Sequence, residues 1–171
     1  MKTFTHYTCN ELLNPPKEIT IYKKDIEFKD GYGVSTFERE YRSIDTSNKE
    51  EINFIDETLT YMAIVDENLE EILPYKGTYT KIVNFGNGHF LVTERFVGFN
   101  TTGPYKRHEH YHIKIKDNIP TIIDKFFDFD YEIIDEETIF IDGVIYDIKE
   151  GKVKESIPKE KVKKKFDEKL S

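Results

Sequence analysis

The amino-acid sequence predicts a mainly β protein, an antiparallel meander with one or two short helices. Three observations lead there: a central run of two β-hairpins, turn signals that recur through the chain, and late segments that alternate strictly between apolar and polar residues.

The central run is residues 59–94. Tyr61 to Val65 and Ile72-Leu73 are bulky or β-branched, and Asp66-Glu67-Asn68 between them supplies a turn. Lys81 to Phe85 and His89 to Thr93 repeat the arrangement around Gly86-Asn87-Gly88, residues that tolerate the positive φ of a tight hairpin turn.

The elements before it follow the same chemistry. Thr8-Cys9-Asn10-Glu11 has the form of a capping box, but Asn14-Pro15-Pro16 limits it to a turn. Glu18 to Tyr22 alternates as a strand and Asp25 to Phe28 extends it, predicting a first hairpin that turns at Asp30-Gly31. In residues 35–44, Ser35 and Glu38 form a second capping box and Phe37, Tyr41 and Ile44 fall at helical spacing, which predicts one short helix packed on the sheet. Ile52 to Ile55 reads as a short strand.

After Glu94, the stretch 98–104 is loop chemistry. Turn signals near residues 31, 47, 67, 87, 102, 117, 136 and 150 recur at the spacing of a strand-turn-strand meander. Whether the sheet closes as a barrel, packs as a sandwich or forms propeller-like blades is left open by these patterns. Residues 1–158 read as a single β-rich domain, and 159–171 as a charged C-terminal helix or tail with Val162, Phe166 and Leu170 spaced four apart.

The order Asp66, Leu73-Pro74, Phe85, Gly88 and Val92 resembles the WG (KWG) repeat, a short bacterial β-hairpin repeat. Met62-Ala63 stand where that family has Trp-Gly, Leu69 stands at a family glycine, and the chain has no tryptophan. The resemblance covers about residues 61–92. It implies a string of sheet units and a binding role.

Composition narrows the function classes. Cys9 is the only cysteine, so no disulfide forms within the chain, and a reducing, cytoplasmic setting is expected. No signal-like or membrane-spanning apolar run occurs, so no membrane partner is expected. Of the net charge of −8, residues 159–171 carry +3, which leaves −11 on residues 1–158. Such an acidic body disfavours nucleic acid, whose binding depends on cations, and favours a basic protein partner. No pattern encodes the oligomeric state.

Two constellations could carry function. The first is Arg107 to Lys116, in which His108, Glu109 and His112 spell H-E-x-x-H, resembling the zincin metalloprotease motif. That motif works on a helix, whereas Gly103-Pro104 and the alternation of Tyr111, Ile113 and Ile115 predict a strand, with Glu109 on the face opposite His108 and His112. As a strand, His108, His110 and His112 share one face, a candidate row for zinc, with a solvent-facing row beside Lys114 and Lys116 as the simpler expectation.

The second is residues 127–133. Phe127, Phe129, Tyr131 and Ile133 alternate with Asp128, Asp130 and Glu132, predicting a strand with an apolar core face and an acidic outer face, and Asp135 lies nearby. The His and Lys row is expected about two strands away on the same sheet face. Asp128, Asp130, Tyr131, Glu132 and Asp135 form the predicted partner-binding surface. Nucleophile-elbow, phosphate-loop, dinucleotide-binding and C-x-x-C signatures are absent. The chain therefore reads as a non-catalytic, inhibitor- or immunity-type protein that docks acids on a basic partner, with a zinc-dependent hydrolase or metal-binding protein as the alternative.

Overall fold

A computed structural model describes residues 15–16, 18–45, 53–127 and 130–156. These form three antiparallel meanders of four strands each, and strands that neighbour in sequence neighbour in space. The first sheet comprises β1 (Phe28–Lys29), β2 (Tyr32–Asp45), β3 (Asn53–Asp66) and β4 (Glu71–Lys76). The second comprises β5 (Tyr79–Gly86), β6 (His89–Asn100), β7 (Gly103–Lys116) and β8 (Ile119–Phe127). The third comprises β9 (Glu132–Ile133), β10 (Thr138–Ile141), β11 (Val144–Asp147) and β12 (Lys152–Ser156).

Both central hairpins form as predicted. β3 and β4 pair antiparallel, with Leu69 at φ 64 in the turn. β5 and β6 pair around Gly86-Asn87-Gly88, all three at positive φ. Gly88 is demanded twice over, because a Cβ there would also lie 2.5 Å from the Ile115 carbonyl oxygen. The turns at Asp30-Gly31 and Asp117-Asn118 also take the left-handed conformation, as does an additional one at Asp142-Gly143.

Two early elements differ from expectation. Residues 18–22 are not a strand; they lead into a single 3-10 turn, Lys23–Asp25, before β1. Residues 35–44 are not a helix but most of β2, paired with β3 from Tyr32↔Asp66 to Asp45↔Asn53. Cross-strand partners outweigh the apparent helical spacing there: Phe37 packs on Tyr61, Tyr41 donates to Glu57, and Arg42 pairs with Asp56 at 3.1 Å. The Ser35 hydroxyl, read as a helix cap, is buried and accepts from the Tyr75 hydroxyl at 2.6 Å. The candidate turn at residues 8–11 and the terminal helix at 159–170 lie outside the described residues.

The three sheets stack in layers, and no sheet closes into a barrel. One apolar cluster joins Ile64 of the first sheet to Phe90, Val92, Ile113 and Ile115 of the second. Another joins Phe85 and Leu91 of the second to Ile139, Ile141 and Tyr146 of the third. The second sheet is therefore the middle layer, covered on both faces. The outer face of the first sheet, with Tyr61, Ala63 and Val65, is covered by Ile19, Ile21, Ile26 and Phe28. No helix among the described residues is long and apolar enough to cross a membrane.

Candidate functional site

The H-E-x-x-H stretch lies in β7, a strand as predicted, and the alternation places its residues on opposite faces of the middle sheet. Glu109 turns toward the first sheet. There it accepts from the Tyr111 hydroxyl and pairs with Arg107 at 3.1 Å and Lys125 at 3.2 Å. Glu94, its cross-strand partner, is held by Lys76 at 2.6 Å and by the Thr78 hydroxyl, and Tyr111 reaches it as well at 3.1 Å. Burial alone would raise the Glu109 pKa, but Tyr111, Lys125 and Arg107 outweigh it and hold the carboxyl below its ordinary value.

The histidine face departs from expectation. His110 and His112 are 1% and 0% exposed, not solvent-facing, because the third sheet folds back over them. Alternation within β7 shows that two faces exist; it does not show that both are covered. His110 Nδ1 lies 2.8 Å from the Thr93 hydroxyl, and its ring meets Tyr131 edge-on.

His112 is the centre of a chain of hydrogen bonds that runs between the sheets. Tyr146 donates to Asp124 Oδ2, so its oxygen accepts from His112 Nδ1 at 2.7 Å. A neutral His112 then accepts at Nε2 from His89 Nδ1, 2.9 Å away, and His89 Nε2 accepts from the Lys114 ammonium at 3.2 Å. Every proton in the chain points the same way, from ammonium to carboxylate. Burial, then the neighbouring His89, pushes the His112 pKa down to about 4 against the pull of Asp124. Burial and Lys114 also lower His89, whereas burial and Asp124 push the Tyr146 phenol well above its ordinary value.

This arrangement bears directly on the zinc expectation. Both nitrogens of His112 are committed to Tyr146 and His89, and Glu109 stands on the other side of the sheet from the His112 network. Among the described residues no group of three or more His, Cys, Asp or Glu is placed to hold a metal ion.

The acidic constellation is also rearranged. The predicted continuous strand through residues 127–133 is not formed: β8 ends at Phe127, and β9 is only Glu132–Ile133 in a different sheet. The chain crosses from the middle layer to the third here, which breaks the alternation. The acids and the histidine row thus belong to different sheets rather than to one face. Tyr131, expected both on the apolar core face and in the docking surface, is buried at the crossing, as the core-face reading has it and not as the docking reading does, with its ring packed edge-to-face with His110 and the Lys81 ammonium 4.7 Å from its centre. Phe127 and Ile133, expected in the core, are largely exposed.

Asp130, Glu132 and Asp135 are exposed, as predicted; Asp128 lies outside the described residues. The Asp135 carboxylate accepts the backbone N–H groups of Glu137 and Thr138, so it shapes the turn into β10. Asp130 and Glu132 make no ion pair among the described residues. Three of the four buried acids differ, since Glu94, Glu109 and Asp147 each have a cation within 3.3 Å, while the fourth, Asp66, accepts the backbone N–H groups of Asn68 and Glu70.

Immediately before these acids lies a surface that the sequence reading did not single out. β8 is the end strand of the middle sheet, and its Ile119, Ile122, Ile123 and Phe127 are 42–64% exposed. One signal for an edge was present: Pro120 has no N–H to donate, and proline within a strand belongs at an edge. Asp130 follows Phe127 by three residues, so it lies within about 11 Å of it. No protein-family model, curated protein or solved structure matches the chain.

Proposed function

We propose that the protein is a non-catalytic, inhibitor- or immunity-type binder that docks an acidic surface on a basic partner. The surface combines the acids after β8, Asp130 and Glu132 together with Asp128, with the exposed apolar side chains of β8. One observation carries this reading: the buried Glu94, Glu109 and Asp147 each hold a cation, whereas among the described residues Asp130 and Glu132, exposed beyond β8, have no ion-pair partner. Exposed acids without an ion-pair partner among the described residues, close to exposed apolar side chains, match the chemistry of an interface, where charge selects and steers the partner and apolar contacts hold it. The test is an affinity capture from the native host at low and high salt, with the wild type beside a triple reversal, Asp128→Lys/Asp130→Lys/Glu132→Lys. A salt-sensitive partner lost in the reversal is expected. Capture that is indifferent to the reversal would overturn the reading.

A further inference from the structure

We propose that β8 receives an extended, apolar and basic segment of the partner as an added strand, continuing the middle sheet by one. This rests on the docking reading above and names its mode.

The first argument is the placement of the exposed apolar residues. Ile122 and Phe127 pair with Ile113 and Glu109, and so share the face turned to the first sheet. Ile119 pairs with Lys116 on the opposite face, and Ile123 lies against Gly151 at the start of β12. A partner resting on one face would cover half of these residues. A strand laid along the edge presents its own side chains to both faces at once, beside Ile122, Ile123 and Phe127, as in strand addition to an exposed sheet edge.

The second argument is the backbone. Among the described residues β8 has β7 on one side and no strand on the other. Edge strands are ordinarily shielded by proline, bulges or lysine. β8 has such shielding up to its midpoint, with Pro120 near its start and a bulge at Ile123, where the register shifts between His112 and Ile113. The segment from Asp124 to Phe127 has only Lys125, whose ammonium is drawn onto Glu109. The incoming strand therefore pairs along the C-terminal half of β8, close to the exposed Asp130.

The third argument selects the occupant. Asp130 and Glu132 just beyond Phe127 favour lysine or arginine alternating with apolar residues. A second copy of this chain would bring the same acids against them at a net charge of −8.

The probe is a synthetic heptapeptide, Lys-Val-Lys-Val-Lys-Val-Lys, titrated into the full chain while amide hydrogen exchange is read residue by residue. Its counterpart with glutamate in place of lysine is the control. Exchange at the amides of residues 122–127 that point away from β7, slowed at least tenfold by the lysine peptide and unchanged by the control, is the expected result. Protection elsewhere, or equal protection by both peptides, overturns the proposal. So does protection of β8 that grows with protein concentration alone, which would make a second copy the occupant. A double variant, Ile122→Lys/Phe127→Lys, separates this inference from the docking reading, because both side chains are exposed and the fold survives the change. If it captures the native partner normally while the acid reversal does not, strand addition falls and acidic docking stands. If neither variant alters capture, both fall.

Discussion

The hydrogen-bond chain through His112 makes the stability of this protein depend on pH in a defined window. His112 is fully buried and its pKa is depressed to about 4, against about 6.5 when unfolded. For a depressed imidazole the unfolded state binds the proton first. The stabilising contribution is therefore complete above pH 6.5 and is lost as the pH falls toward 4. At pH 5 the linkage amounts to about 2 kcal/mol, and screening reduces it to about 1–2 kcal/mol. His89, also lowered, adds to it in the same direction. The depressed carboxyls Glu109 and Asp147 lose their contributions only below about pH 4.5, so the interval from 6.5 to 4.5 isolates the imidazoles. Urea unfolding at pH 7.5 and pH 5 is the assay, with a fall in midpoint of roughly 1 M expected. An unchanged or higher midpoint at pH 5 would refute the argument, since it would mean that His112 is charged in the native state and paired with Asp124. The His112 ring should also show the Nδ1–H tautomer by nitrogen chemical shift at pH 7.5.

Two further substitutions test the packing. Tyr146→Phe removes the link between His112 and Asp124 and leaves a buried imidazole N–H without its acceptor, which should cost about 1–3 kcal/mol by chemical unfolding. Gly88→Ala meets both a φ of +79 and the Ile115 carbonyl oxygen at 2.5 Å, so thermal unfolding should show a loss of at least about 2 kcal/mol; a change under about 0.5 kcal/mol would refute the steric account.

Local chemistry made much of this fold legible. Asp30-Gly31, Gly86-Asn87-Gly88 and Asp117-Asn118 are residues whose backbones accept positive φ, and each marks the turn it forms. Alternation in residues 107–116 correctly specified a strand and put Glu109 opposite His112, which by itself argues against the helical reading of H-E-x-x-H. These signals lie within a few residues of one another, so the sequence alone carries them. The same locality explains the failure at residues 35–44, where Phe37, Tyr41 and Ile44 suit one face of a helix as well as they suit a strand. Pairing with β3, a segment some 20 residues away, decides between the two.

Tertiary structure decided what lies over each sheet face. A strand's alternation separates two faces without saying which neighbour covers either, so His110 and His112 read as solvent-facing until the third sheet was seen above them. The partners that set the chemistry of His112, namely His89, Tyr146 and Asp124, lie 12 to 34 residues distant in the chain, and no spacing within β7 points to them. Likewise, the alternation of residues 127–133 puts Tyr131 in the core, where it is, but says nothing of the crossing between layers that exposes Phe127 and Ile133. By itself the sequence determined the central hairpins, β7, most of the turns and the excess of acid, because those depend on backbone preference and composition. Which strand would stand at an edge, and which polar residues would be enclosed, depended on the stacking of three sheets, a contest among surfaces far apart in the chain.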